Sequence, residues 1–180
     1  ACARRAGAFA PWLLLVLCLC VAGTPVPARA QEVSQEGNRA AVVVVHADGS
    51  TAARCVAFAE PQLTGYELLR RSGLDLNVEA GAQGVTVCRL DGEGCTFPQQ
   101  SCFCRCEGAS CTYWSYWNWD GATWRYANLG ASNQVVQPGA LQGQEWGEGS
   151  SGSAPAPPAG LSFAAVCAAA APTPGATSTP

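Results

Sequence analysis

The chain has 180 residues and a net charge of −3, with all ten of its basic side chains arginine and no lysine. Nucleic acid and anionic membrane surfaces demand a basic patch, so this acidic balance argues against both as partners. The absence of Ile, with abundant Ala, Gly, Arg and Pro, reads as the codon bias of a GC-rich genome and carries no functional message.

Residues 1–30 have the anatomy of a secretory signal peptide. Arg4 and Arg5 form a basic start, Trp12 to Ala22 is an unbroken apolar run of eleven residues, and Ala28-Arg29-Ala30 offers a cleavage site. The run is short for a membrane span, which leaves an uncleaved signal anchor as the alternative. With no Met in the chain, an incomplete N-terminus is expected. Removing residues 1–30 takes three arginines and no carboxylate, so the exported part carries about −6.

Residues 31–39 (QEVSQEGNR) read as a polar leader. Ala41 to His46 is a buried-strand run, Ala47-Asp48-Gly49-Ser50 a turn, and Thr51 to Phe58 the returning strand of a hairpin. The segment QLTGYELLRRSG then predicts a short helix. Thr64 is its N-cap, Glu67 completes a capping box, and Leu63 with Leu68 form a hydrophobic staple. Gly73 stands where a helix end favours positive φ. Leu68 and Leu69 should face inward, and Arg70 and Arg71 the solvent.

Leu74 to Val78 and Val85 to Leu90 read as strands, followed by a turn at Asp91-Gly92-Glu93-Gly94. Cys95 to Cys111 is loop-rich. Tyr113 to Trp119 (YWSYWNW) is a strand, turned by Asp120-Gly121 into Thr123 to Leu129, with short strands near Gln134–Gln137 and Gln144–Trp146. From Gly147 onward the chain is rich in Gly, Ser, Ala, Pro and Thr and is expected to build no core of its own. The expected organisation is a signal peptide (1–30), a leader (31–39), one domain (40–147) and a linker or stalk (148–180) that carries Cys167. No internal repeat is evident. One helix among many strands predicts an α+β domain with the helix packed on a mixed sheet.

Export leaves eight cysteines: Cys55, Cys88, Cys95, Cys102, Cys104, Cys106, Cys111 and Cys167. An even number in an exported chain reads as a disulfide framework, though eight cysteines allow 105 pairings. On a strand, Cys102, Cys104 and Cys106 would share one face. Zinc usually takes ligands spaced C-x₂-C, and thioredoxin-type redox sites need C-x-x-C. The C-x-C spacing has neither geometry and suits an internal bridge poorly, so three bridges to other segments are expected.

Seven aromatic rings crowd into Tyr113–Tyr126. On a strand, Trp114 and Tyr116 face one way and Tyr113, Trp117 and Trp119 the other. One face should be core. The surplus points to an aromatic surface of Trp114, Tyr116, Trp117, Trp119 and Trp124 that binds a flat ligand or a sugar. Catalysis is not expected. His46 lies in an apolar run, Asp48, Asp91 and Asp120 serve turns, and no hydrolase, zincin, P-loop or dinucleotide motif occurs. A secreted hydrolase ranks last.

Two stretches carry a family resemblance. TGYELLRRSGL (Thr64–Leu74) is similar to a G-x-x-x-L-x-x-x-G-L helix. YWSYWNWDGATWRYANLGASNQVVQPGALQGQEWG (Tyr113–Gly147) is similar to a Y-W-x-Y, turn, aromatic strand, G-A and final tryptophan pattern. Over about residues 60–147 the chain thus resembles the transcobalamin C-terminal-like (DUF4430) domain, in an exported, cysteine-rich bacterial subgroup. The resemblance implies a β-grasp-like fold, a distal Cys167 that returns to bridge the domain, and a module for extracellular binding. It also implies a corrinoid such as cobalamin as ligand, with a transporter as neighbour. Ala140 stands where the family has aspartate, and no residue is carried over as a cobalamin contact. No resident cofactor or metal is expected. The expected protein is an extracellular or cell-surface, non-catalytic module with a small-molecule or surface-protein partner, touching the membrane only through its signal peptide or a further anchor. The alternative is a structural or adhesive surface domain.

Overall fold

The computed structural model describes residues 37–149 and 155–169. The expected signal peptide and most of the leader lie outside these residues. Strand β1 (Asn38–Val45) begins inside the expected leader, because Asn38 and Arg39 pair with Phe58 and Ala57 of β2 (Thr51–Phe58). Strand β1 also runs parallel to β11 (Leu141–Gly149). Next to β11, and antiparallel to it, lies the aromatic strand β8 (Ser110–Trp119). The order β2-β1-β11-β8, with first and last strands parallel at the centre, is the β-grasp arrangement. The domain is therefore α+β, with a mixed sheet.

Buried strands read as continuous apolar runs, and β1 shows why AVVVV has no alternation. Val42 and Val44 face one layer while Ala41, Val43 and Val45 face the other, and all are buried.

The first layer holds helix α1 (Gly65–Arg71). Its capping box forms as expected: Glu67 N donates to Thr64 Oγ1 at 3.2 Å, and Thr64 N donates to Glu67 Oε2 at 2.7 Å. Leu68 and Leu69 are buried against Val42, Val44, Trp114, Tyr116 and Trp146. Gly73 takes φ 76° just beyond the helix. Strand β3 (Leu63–Thr64) leads into the helix and pairs with β10 (Val135–Val136). A separate antiparallel sheet, β4 (Leu76–Gly81), β5 (Gly84–Leu90) and β6 (Glu93–Gly94), completes this side.

The second layer comes from the tail. Residues 155–161 and helix α2 (Phe163–Ala169) cover the far side of β1 and β11, where Val166 and Cys167 are buried with Val43 and Leu141. The tail, expected to build no core of its own and to carry a returning Cys167, packs onto the sheet of the domain. It does so because Cys167 is bonded to Cys55 of β2, which holds seven helical residues against the sheet.

All eight cysteines among the described residues are paired: Cys55–Cys167, Cys88–Cys102, Cys95–Cys104 and Cys106–Cys111. The expectation of a shared strand face is corrected. Cys102 and Cys104 lie in turns, and only Cys106 belongs to β7 (Arg105–Glu107). Each bridge leaves in its own direction: Cys102 to β5, Cys104 back nine residues, and Cys106 across the β7–β8 hairpin. Four disulfides place the chain in an oxidising compartment.

Candidate functional site

Strand β8 is long, but its outer edge is covered only in part. Strand β7 pairs with Ser110–Thr112, and β9 (Trp124–Tyr126) pairs with Trp117–Trp119. Ala127 N also donates to Tyr116 O at 2.8 Å. Between these, Tyr113 to Ser115 has no strand partner on that edge among the described residues.

A slot of about 250 Å³ opens at this gap. Its walls are Val85, Thr86 and Val87 of β5, the 127–131 loop, Phe103 from the cysteine-rich segment, and Tyr113, Trp114 and Tyr116 of β8. Phe103 and Leu129 are half exposed at 50% and 52%, which puts apolar surface on the rim. The hydroxyls of Tyr113 and Tyr126 meet at 3.2 Å, and Phe103 packs tilted against Tyr113 with centroids 6.3 Å apart. Gln144 of β11 and Tyr116 also line the slot. The Gln144 amide and the Tyr116 hydroxyl have no protein partner among the described residues. Burial pushes the Tyr116 phenol up, and burial together with the Tyr126 contact does the same for Tyr113. Both rings therefore stay neutral across ordinary pH. Among the described residues no Asp, Glu, Arg or His lines the slot.

The expected single aromatic surface does not form. Trp114, Tyr116 and Trp117 are buried, because β8 is covered on both faces. Trp114 and Tyr116 face α1, as the alternation predicts, and line the slot from beneath. Trp117 lies on the other face, edge-on to Tyr126 at 5.3 Å, and its Nε1 donates to Ser115 Oγ at 2.8 Å. Trp119 and Trp124 are half buried against each other at 5.3 Å under the tail. So the five residues split into two sets. The expected site did not include Phe103, Tyr113, Tyr126, Leu129 or Gln144, although Tyr113 and Tyr126 belong to the aromatic cluster seen in the sequence.

His46 sits at the end of β1 between two carboxylates: Nδ1 is 3.0 Å from Glu93 Oε2, and Nε2 is 3.2 Å from Asp91 Oδ2. Asp91 thus does more than shape its turn. The carboxylates lie on opposite sides of the ring, so the three do not converge on one point. Among the described residues no three His, Cys, Asp or Glu side chains are arranged to hold a metal ion. Asp48 and Asp120 keep the turn roles expected of them. Asp48 accepts from Ser50 N, and Asp120 from Ala122 N and Thr123 N.

Residues 106–178 match the SCO2322-like domain. That stretch is less than half of the chain and runs from the last cysteine of CFCRC through β8, the slot loop, β11 and the tail. No curated protein matches the chain. Among solved structures, the chain is similar to a Ruminococcus gnavus ATCC 29149 protein whose name proposes metal binding. The identity is 18%, the TM-score 0.47, and coverage 63% of this chain and 99% of that one.

Proposed function

We propose that this domain is an exported, non-catalytic binding module whose site is the slot beside β8, and that it takes an uncharged ligand with a flat face. One observation carries this reading: five aromatic residues (Phe103, Tyr113, Trp114, Tyr116 and Tyr126) line the slot, and no charged side chain does. Ligand sites are concave, mostly apolar, and carry a few polar groups for orientation; Thr86, Asn128 and Gln144 supply these here. The lining has no group that titrates near neutrality, which supports binding over acid–base chemistry. Export to the cell surface rests on the signal-peptide pattern and agrees with four disulfides.

The resemblance to the transcobalamin-like domain supports a corrinoid. At about 250 Å³ the slot is smaller than pockets that enclose drug-sized molecules, so a corrinoid would seat an edge or a side group in it. The test is titration of the exported chain with dicyanocobinamide and with a panel of neutral sugars and nucleosides, followed by tryptophan emission, since Trp114 lines the slot. Saturable quenching that is lost in Phe103→Ala supports the reading. Silence across the panel counts against it. Burial of Trp114, Tyr116 and Trp117 favours a second reading, in which the aromatic richness serves the core of a structural or adhesive surface domain. Quenching that survives both Phe103→Ala and Leu129→Ala would move the ligand elsewhere.

A further inference from the structure

The tail crosses β11 in a way that ordinary tail packing does not require. Glycine in a strand interior weakens it, and often marks a place where another backbone comes close. Strand β11 has Gly143 and Gly147 on one face, with Glu145 between them. A Cβ at Gly143 would stand 2.7 Å from Pro157 Cγ, and a Cβ at Gly147 would stand 2.7 Å from Pro155 Cγ. Each proline ring thus occupies space that a side chain would fill. Pro157 is buried there. Trp124 Nε1 donates to Pro158 O at 3.1 Å. The Trp124 ring (Cζ3, 3.1 Å) and the Trp117 Cβ (3.3 Å) border the space a Cβ at Gly143 would take.

The segment PAPP (residues 155–158) makes no strand ladder with β11 among the described residues. Among the described residues its hold includes proline rings seated over glycines and one indole N–H to a proline carbonyl. Aromatic-lined grooves that dock proline-rich segments use the same physics. The extended proline backbone has little freedom to lose, its rings fill shallow pockets, and its carbonyls accept from indole.

We propose that the Gly143–Gly147 face of β11, bounded by Trp117 and Trp124, is a recognition groove for proline-rich extended peptide. The chain's own residues 155–158 fill it, and the same groove takes a proline-rich segment of another polypeptide. The Cys55–Cys167 bond holds the tail nearby and gives residues 155–158 a high effective concentration, so the internal segment wins against a free peptide. A segment from another chain enters when the internal one is displaced. The partner's chemistry follows from the occupant's: uncharged, alternating proline with small residues, and insensitive to salt.

The test uses the full exported chain with its internal segment disabled (P155S/P157S/P158S), its four disulfides verified by mass. A synthetic peptide of residues 153–161 is titrated into this variant and into the wild type by calorimetry. The expected result is binding at least tenfold tighter to the disabled variant. The peptide with serine at every proline should not bind. Trp124→Phe, added to the disabled variant, keeps an aromatic ring but removes the indole N–H and should weaken binding several-fold. Equal affinity for both proteins, no binding to either, or equal binding of the serine peptide would each overturn the proposal. Should the triple variant lose its fold, Pro157→Ser alone, with the same peptides, decides the question in the same way.

Discussion

His46 Nδ1 lies 3.0 Å from Glu93 Oε2, which ties the end of β1 to the turn that carries β6. The other ring nitrogen meets Asp91 Oδ2 at 3.2 Å, and the ring stands edge-on to Trp114 at 6.0 Å. Trp114 Nε1 in turn donates to Glu93 O at 3.2 Å. One imidazole therefore joins the central sheet to the β4–β6 sheet, and the slot lies between these same layers. Replacing His46 with alanine removes the ring donor shared by Asp91 and Glu93 and leaves Glu93 Oε2 only the Ala47 N–H, at 3.1 Å. We expect a loss of about 1–3 kcal/mol, measured by urea unfolding at pH 7. A change below a few tenths would show that the ring contributes nothing to the layer junction.

Gly65 opens α1 directly beneath Tyr116. A Cβ added there would overlap the Tyr116 hydroxyl. Alanine raises intrinsic helix propensity by up to about 1 kcal/mol, but overpacking a tight site typically costs about 1–3 kcal/mol. Gly65→Ala is thus expected to destabilise. The Tyr116 hydroxyl has no partner among the described residues, so Tyr116→Phe should be near neutral alone and should rescue part of the Gly65→Ala loss, since the ring carbons Cζ and Cε1 would still lie 2.7 and 2.9 Å from that Cβ. A double-mutant cycle by thermal unfolding checks this, and additive effects would exclude the overlap.

The Cys55–Cys167 bond spans 112 residues, far more than the other three. Loop-closure entropy gives such a bond about 4–5 kcal/mol in the chain-entropy model. The Cys55→Ser/Cys167→Ser variant should lose several kcal/mol. It should also expose Val166 and Leu141, while α1 and the slot keep their structure. Hydrogen exchange should show loss of protection confined to residues 155–169 and the adjoining edge of the sheet. Uniform loss across α1 would mean that the tail is integral to the first layer as well.

Local signals were legible in the sequence where the physics is local. The Thr64–Glu67 capping box and the Thr51–Phe58 strand stand where pattern placed them. Strand β11 was visible only near Gln144–Trp146, although it runs from Leu141 to Gly149 at the centre of the sheet. Its glycines and glutamines are poor strand formers, and parallel pairing with β1, about a hundred residues away in sequence, overrides that preference. The tail's linker composition hid how it packs on the sheet, although Cys167 marked a return to the domain. The slot was illegible for a similar reason. Phe103, the β5 edge and the 127–131 loop meet only once the Cys88–Cys102 bond has brought the cysteine-rich segment to β5.

Charge gives the domain two opposing pH limits. Glu60 accepts from Arg71, which holds its carboxyl down at about 2, and the backbone donors of Thr123 and Ala122 hold Asp120 low as well. Both groups favour the folded state above the ordinary carboxylate range and lose that contribution as pH falls from about 4 toward 2. Glu145 behaves in the opposite way. It lies on β11 between Gly143 and Gly147 in a cavity lined by Pro155, Ala156 and Pro158, and its Oε2 has no partner among the described residues. Burial there raises its pKa. A raised folded value means that the folded state binds the proton more tightly than the unfolded chain does. Glu145 is therefore least costly below about pH 4.5, and stability falls as pH rises through the folded value. His46 and Glu148 line the same cavity, and Glu148 is already held by Ser110 Oγ at 2.7 Å. Glu145→Gln removes the ionisation and keeps the shape. The variant should unfold at higher urea than wild type at pH 7 and at the same urea at pH 4. An equal gain at both pH values would assign the effect to packing instead of charge.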